Sequence, residues 1–118
     1  MREKVNKYLN ILKLELLDME EDLLFLEEVY RQRGRNKEIT NYVLLENVTV
    51  IQREIRGLNR IVESMKAIAP DTYTSLQELQ EDLKKRFHEQ VTRSEAPEGL
   101  FDIIKRKMQK VAGYISAS

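Results

Sequence analysis

The chain has 118 residues, 42% apolar and 34% charged, with four glycines, two prolines and no cysteine. That length suits one domain with a modest core, and the lack of cysteine excludes a disulfide framework, a thiolate metal site and a cysteine nucleophile. Twenty basic and twenty acidic residues cancel to zero net charge, which removes the bulk electrostatic pull that nucleic-acid binders use.

The opening residues, MREKVNKYLN, lack the apolar core of a secretory signal, and no apolar run reaches the length of a membrane span. A cytoplasmic protein is expected. The first predicted helix covers about residues 3–33. Its apolar residues Val5, Leu9, Leu12, Leu16, Met19, Leu23, Leu26 and Tyr30 recur at spacings of four and three, which places them on one helical stripe. Residues 15–28 include seven acidic side chains and no basic one, whereas residues 31–37 include four basic side chains and no acidic one. Arg31 and Arg33 suit the negative end of the helix dipole, and Gly34 is expected to supply a left-handed stop.

A second helix is expected to open on Asn36 as N-cap, with Glu38 in its first turn, and to run to about residue 68, before Pro70. Its stripe is Leu44, Val48, Ile51, Ile55, Leu58, Val62 and Met65. Gly57 in its middle costs about 1 kcal/mol relative to alanine. A turn at residues 34–36 makes the two helices an antiparallel hairpin. That register sets Asp18 beside Arg53 and Glu15 beside Arg56, so part of the acidic stretch is neutralised within the pair.

Pro70, Asp71 and Thr72 read as a turn, followed by two overlapping capping boxes, Thr74 with Gln77 and Ser75 with Glu78. The third helix then carries Leu76, Leu79, Leu83, Phe87 and Val91 on one face. Residues 92–96 read as a polar linker, and Pro97 is pre-set for the first turn of a fourth helix at about residues 98–115. There Phe101, Ile104, Met108, Val111 and Ile115 form the stripe, widened by Leu100, Ile103, Ala112 and Tyr114. Residues 99–105, Gly-Leu-Phe-Asp-Ile-Ile-Lys, resemble the opening of amphibian membrane-active peptides of the aurein and citropin type. The resemblance implies an amphipathic helix able to lie in a lipid interface, with Lys105, Arg106 and Lys110 toward headgroups. It spans only those residues and fails after Lys105, because Lys107 falls within the apolar arc.

The expected fold is all-α: a single helical domain over residues 1–118, in which a long antiparallel helical hairpin (1–69) is braced by two shorter helices (70–118), four-helix bundle-like. Thirty helical residues extend about 45 Å and twenty about 30 Å. The shorter pair therefore cannot cover the whole hairpin stripe, and a homo-oligomer, a dimer before all, is expected to shield the remainder.

Catalytic constellations are missing from the pattern. A di-iron bundle needs Glu-x-x-His pairs, but the one histidine, His88, follows Lys85 at that spacing and has no second histidine for a zinc-protease motif. No Gly-x-Ser-x-Gly elbow is present, and glycines 34, 57, 99 and 113 are too isolated to cradle phosphate. Glu54 lies close to the second stripe and is expected to pair with a basic neighbour. Asn47-Val48-Thr49 matches a glycosylation acceptor by accident of a core valine.

A non-enzymatic helical interaction or structural protein follows as the expectation, with no cofactor and no metal. Arg31, Arg33, Arg35 and Lys37 are the candidate anion or partner contacts, and a nucleic-acid-associated regulator acting through that turn is the first alternative. Leu100, Phe101, Ile104 and Met108 are the candidate partner or membrane face, which makes a peripheral membrane protein the second alternative.

Overall fold

A computed structural model describes residues 1–117. Its helices are α1 (Arg2–Arg35), α2 (Asn41–Met65), α3 (Leu76–Arg93) and α4 (Glu98–Ala117), with a 3-10 turn at Pro70–Thr72 before α3. They run alternately up and down, so that α1 packs on α2 and α4, and α3 packs on the same two helices from the other side. The fold is therefore the expected all-α hairpin braced by two shorter helices.

One core joins all four. It takes Val5, Tyr8, Leu12 and Leu16 from α1 and Leu58, Ile61 and Met65 from α2. Leu79, Leu83, Phe87 and Val91 come from α3, and Leu100, Ile104, Met108, Val111 and Ile115 from α4. Tyr8 and Ile61 lie off the 4-3 stripes. In a bundle each helix has two neighbours, so its buried arc is wider than the seam of a helix pair. The Tyr8 hydroxyl donates to the Met108 carbonyl at 3.2 Å, which joins α1 to α4 and satisfies a fully buried polar group. Burial holds its pKa far above the usual phenol value, so it stays a neutral donor. At the base, the buried Tyr73 donates to the Asp82 carboxylate. Burial, and then that carboxylate, push the phenol up to about 12.

Helix ends depart from the sequence expectation in informative ways. Gly34 is not a left-handed stop: α1 passes through it, and no glycine among the described residues has positive φ. A Cβ there would lie 2.6 Å from the Leu44 Cδ2, so its role is the close approach of α2. The left-handed residue is Lys37 (φ 59°). Glu38 N–H donates to the Arg33 carbonyl at 2.9 Å and Lys37 N–H to the Gly34 carbonyl at 3.1 Å, the paired bonds of a Schellman cap. The α3 end repeats this, with Glu95 (φ 56°) left-handed and Ala96 N–H donating to the Val91 carbonyl at 3.2 Å. Asn36 is the C-cap of α1 rather than the N-cap of α2. Thr40 holds that post, accepting from the Val43 N–H at 3.2 Å. At α3, Ser75 is the N-cap that operates, accepting from Glu78 N–H at 3.1 Å.

The later start of α2 shifts the hairpin register. Asp18 does not meet Arg53, nor Glu15 Arg56. Instead Glu15 binds Lys110 at 3.0 Å and Lys107 at 3.4 Å on α4, which lowers its pKa, and Arg53 reaches Glu95 at 3.9 Å. The neutralisation of Glu15 comes from α4, because that helix lies against the flank of α1 that carries it.

Leu16→Asp places an unpaired charge in this core and is expected to abolish cooperative folding. Leu24→Asp, at a half-exposed position, is expected to shift stability by about 1 kcal/mol or less. Circular dichroism melts separate the two, and equal effects would refute the core assignment. Lys37→Gly relieves a left-handed lysine and is expected to stabilise the fold by about 1 kcal/mol in urea titration.

Candidate functional site

Helix lengths create the most distinctive surface. At 1.5 Å per residue, α1 is about 51 Å long, whereas α3 and α4 are about 27 and 30 Å, within a body of 54 × 27 × 20 Å. The turn joining α3 to α4 rests against Gly57, where an added Cβ would sit 3.4 Å from Leu100 and 3.6 Å from Ser94. Arg60 reinforces that seat by donating to the buried Ser94 hydroxyl at 3.3 Å. Beyond this level the hairpin projects alone for about 18 Å, the rise of the twelve residues 24–35. Val48 and Ile51 are buried there between the two helices.

The face that α3 and α4 would have covered is left as a groove. On α1 it follows Asp22, Leu26, Tyr30 and Arg33, and on α2 Val43, Asn47, Val50 and Glu54, each at 4-4-3 or 4-3-4 spacing and so on one side of its helix. Leu26 is 41% exposed and Val43 38%, while Tyr30, Asn47 and Val50 are half-buried. Asn47 turns its amide onto the Val43 carbonyl at 2.8 Å, which keeps the groove floor satisfied. At its inner end lies an open hollow of about 260 Å³, lined by Met19, Asp22, Leu23, Glu54, Ile103 and Lys107 among others.

Charge is distributed along that groove by sign. Glu54, expected to be paired, has no ion pair among the described residues, and burial raises its pKa. With Asp22 it brings two carboxylates to the inner end, where Lys107 is bound to Glu15. The outer end carries cations beside the exposed Glu38, but the four sequence candidates are not gathered there. Arg31 is held by Glu27 at 3.4 Å, and Arg35 by Glu28 and Gln32, each at 2.7 Å, on one side of α1. Arg33 lies two residues from each, about 200° round the helix, and points with the groove. Arg33 and Lys37 have no ion pair among the described residues, so the turn presents two free cations rather than four.

The fourth-helix candidates are occupied by the fold. Leu100, Ile104 and Met108 are buried in the core. Phe101 is half-buried, tilted against His88 with centroids 4.8 Å apart, and Lys105 lies 4.9 Å over its ring. Contact of these residues with lipid would require α4 to leave the bundle. His88 is engaged with Glu98 at 2.9 Å, tying the end of α3 to the start of α4. Among the described residues no group of three or more His, Asp or Glu side chains is placed to hold a metal, and no helix is long and apolar enough to cross a membrane. A hollow of about 470 Å³ between α3 and α4 is lined by Gln80, Lys84, Asp102, Lys105, Arg106 and Gln109, with no histidine or buried nucleophile.

Two features of the site are invisible in the 4-3 pattern: the charged ends of the groove, which need the hairpin register, and a second apolar stripe on the outer side of α1. That stripe is Leu14, Leu17, Leu24 and Phe25, and its signal is a 3-7-1 spacing out of phase with Leu12 and Leu16. No protein-family model, curated protein or solved structure matches the chain.

Glu54 lets the groove be probed by pH. Its folded pKa lies above its unfolded value, so the stability it contributes is present below the ordinary 4.5 and is lost as pH rises through the folded value. In dilute protein, Glu54→Gln is therefore expected to raise the melting temperature near neutral pH, with the gain vanishing toward pH 4. A variant less stable than wild type at pH 7 would mean that Glu54 has a compensating partner.

Proposed function

We propose that this chain is a non-enzymatic helical interaction protein that self-associates through the projecting half of its hairpin. One observation carries the reading: the carboxylates Asp22 and Glu54 lie at the inner end of the uncovered groove, where Lys107 is bound to Glu15, and the unpaired cations Arg33 and Lys37 lie toward the tip, beside Glu38. Such a surface is complementary to itself under a two-fold axis. Antiparallel docking of two projecting halves brings the tip of each copy over the inner end of the other, about 18 Å away. Arg33 then lies within about a turn of Asp22 and Glu54 of the second copy.

The same arrangement supplies each half-hairpin with the missing pair of helices and covers Leu26, Tyr30, Val43 and Val50, completing a second four-helix layer. It also places a cation near Glu54, whose burial is otherwise uncompensated. The lack of cysteine fits a reducing, cytoplasmic setting for this role. A nucleic-acid role for the tip is disfavoured because two of its four arginines and lysines are bound by glutamates.

Light scattering at tens of micromolar is expected to give the mass of two chains. The pair Leu26→Lys and Val43→Lys is expected to give monomers with unchanged helicity, and Arg33→Glu to weaken association at least tenfold. Adding Asp22→Arg to Arg33→Glu restores opposite signs across the two-fold axis and should recover part of the loss. A monomeric wild-type protein, or a dimer indifferent to Leu26 and Val43, overturns the proposal.

A further inference from the structure

The outer side of α1 carries a second surface that the two-fold arrangement does not use. Leu14 is 63% exposed and Phe25 72%, with Leu17 and Leu24 between them also open. Leu14 and Phe25 lie about opposite the buried Leu12 and Leu16, with Leu17 and Leu24 toward one flank of that outer side. From Leu14 to Phe25 the stripe spans about 17 Å, three turns of helix. Exposed leucine and phenylalanine at helical spacing over that length form the anchor pattern by which one amphipathic helix receives another.

Its charge selects the occupant. Residues 14–30 of α1 include no cation. Several carboxylates in this stretch are engaged elsewhere: Glu15 by Lys107 and Lys110, Glu27 by Arg31, and Glu28 by Arg35. Asp18 and Glu21, both exposed and without a salt bridge among the described residues, remain on the stripe and its edge, Asp18 within the field of Lys110. A second copy laying the same stripe here would set Asp18 and Glu21 against their own equivalents, a like-charge contact that opposes binding. The basic flank of α4 in a second copy is no better suited, because Lys107 and Lys110 are already bound to Glu15. Anionic lipid and nucleic acid are repelled by the same carboxylates.

We infer that the outer stripe of α1 is a docking site for a basic amphipathic helix of another protein, with apolar side chains at 3-4 spacing seated on Leu14, Leu17, Leu24 and Phe25 and flanking lysines or arginines facing Asp18 and Glu21. The site lies on the side of α1 away from the groove, so occupancy does not compete with self-association.

An 18-residue helical peptide of leucine and lysine, its leucines on one face, serves as the probe against the full chain. Amide shifts in heteronuclear NMR are expected to cluster at residues 14–25 on the outer side. Binding should weaken as salt rises, because exposed charge pairs are screened, and should be absent for the corresponding leucine and glutamate peptide. The pair Leu17→Ser and Phe25→Ser, both exposed and so tolerated by the fold, should reduce affinity at least tenfold while leaving the mass in light scattering unchanged. The monomeric Leu26→Lys and Val43→Lys protein should bind as wild type, so failure of self-association and failure of this site are read separately. Shifts centred on the groove or on α3 and α4, or affinity unchanged by the serine pair, overturn the inference.

Discussion

Everything distinctive about this molecule depends on a mismatch of length between its two halves. A helix stripe is stabilised by what covers it, at roughly 25 cal/mol for each Å² of apolar surface withdrawn from water. Here α3 and α4 cover about 30 Å of a hairpin about 51 Å long. The covered part has a continuous core with Tyr8, Leu12, Phe87 and Met108 fully buried. The uncovered part buries Val48 and Ile51 and leaves Leu26 and Val43 substantially in water. A two-helix segment of that kind is held in place mainly by continuity with the bundle, because isolated helical pairs of this length are marginal.

The boundary between the halves is constructed rather than incidental. Gly57 admits the α3–α4 turn against α2, and the buried Ser94 receives Arg60 at that point. Glu95 adopts the left-handed backbone that reverses the chain there. A bulkier residue at 57 would meet Leu100 and the small side chains of that turn. The glycine that looks like a cost in the middle of a helix therefore lies where the α3–α4 turn packs on α2, at the level where the bundle stops.

Much of the architecture was legible in the residue pattern, for a physical reason: a 4-3 apolar spacing has few solutions other than a helix packed on one side. The four helices, their order and the shortfall of the second pair all follow from it. Tyr8 and Ile61 were not legible, because a stripe marks the seam with one neighbour and their burial comes from a second neighbour supplied by distant sequence. Gly34 misled in the usual direction. Glycine favours left-handed backbone, but it also permits close approach, and Leu44 needed the second property. Moving the turn four residues onward to Thr40 then changed every cross-hairpin pairing. The groove was half legible: Leu26 and Tyr30 belong to the stripe, whereas its charged ends at Asp22, Arg33 and Glu54 emerge only once register and the end of α4 are known. The arginines of the basic turn are divided between two sides of α1, because proximity in sequence is not proximity on a helix. Arg31 and Arg33 point about 200° apart.

Among the described residues, ion pairs between elements are found in the bundle half and not along the projecting half, for the same geometric reason. Within the bundle, local pairs such as Asp82 with Arg86 and Glu89 with Arg93 are joined by pairs between elements, Glu15 with Lys107 and Lys110 and Glu95 with Arg53. Along the projecting half no third helix is within reach, so pairs form along α1 itself, Arg31 with Glu27 and Arg35 with Glu28. Exposed pairs of that kind contribute little to stability, about 0.3–0.5 kcal/mol each. What they do is remove four charges from availability, two of each sign. Among the charges left without an ion pair, Asp22, Glu54 and Arg33 lie along the groove, and Asp18 and Glu21 lie on the outer edge. A bipolar surface can match itself and a uniformly acidic one cannot. The two sides of one helix are thereby directed toward different kinds of partner, and the distinction arises from pairing within α1 rather than from net charge, which is zero.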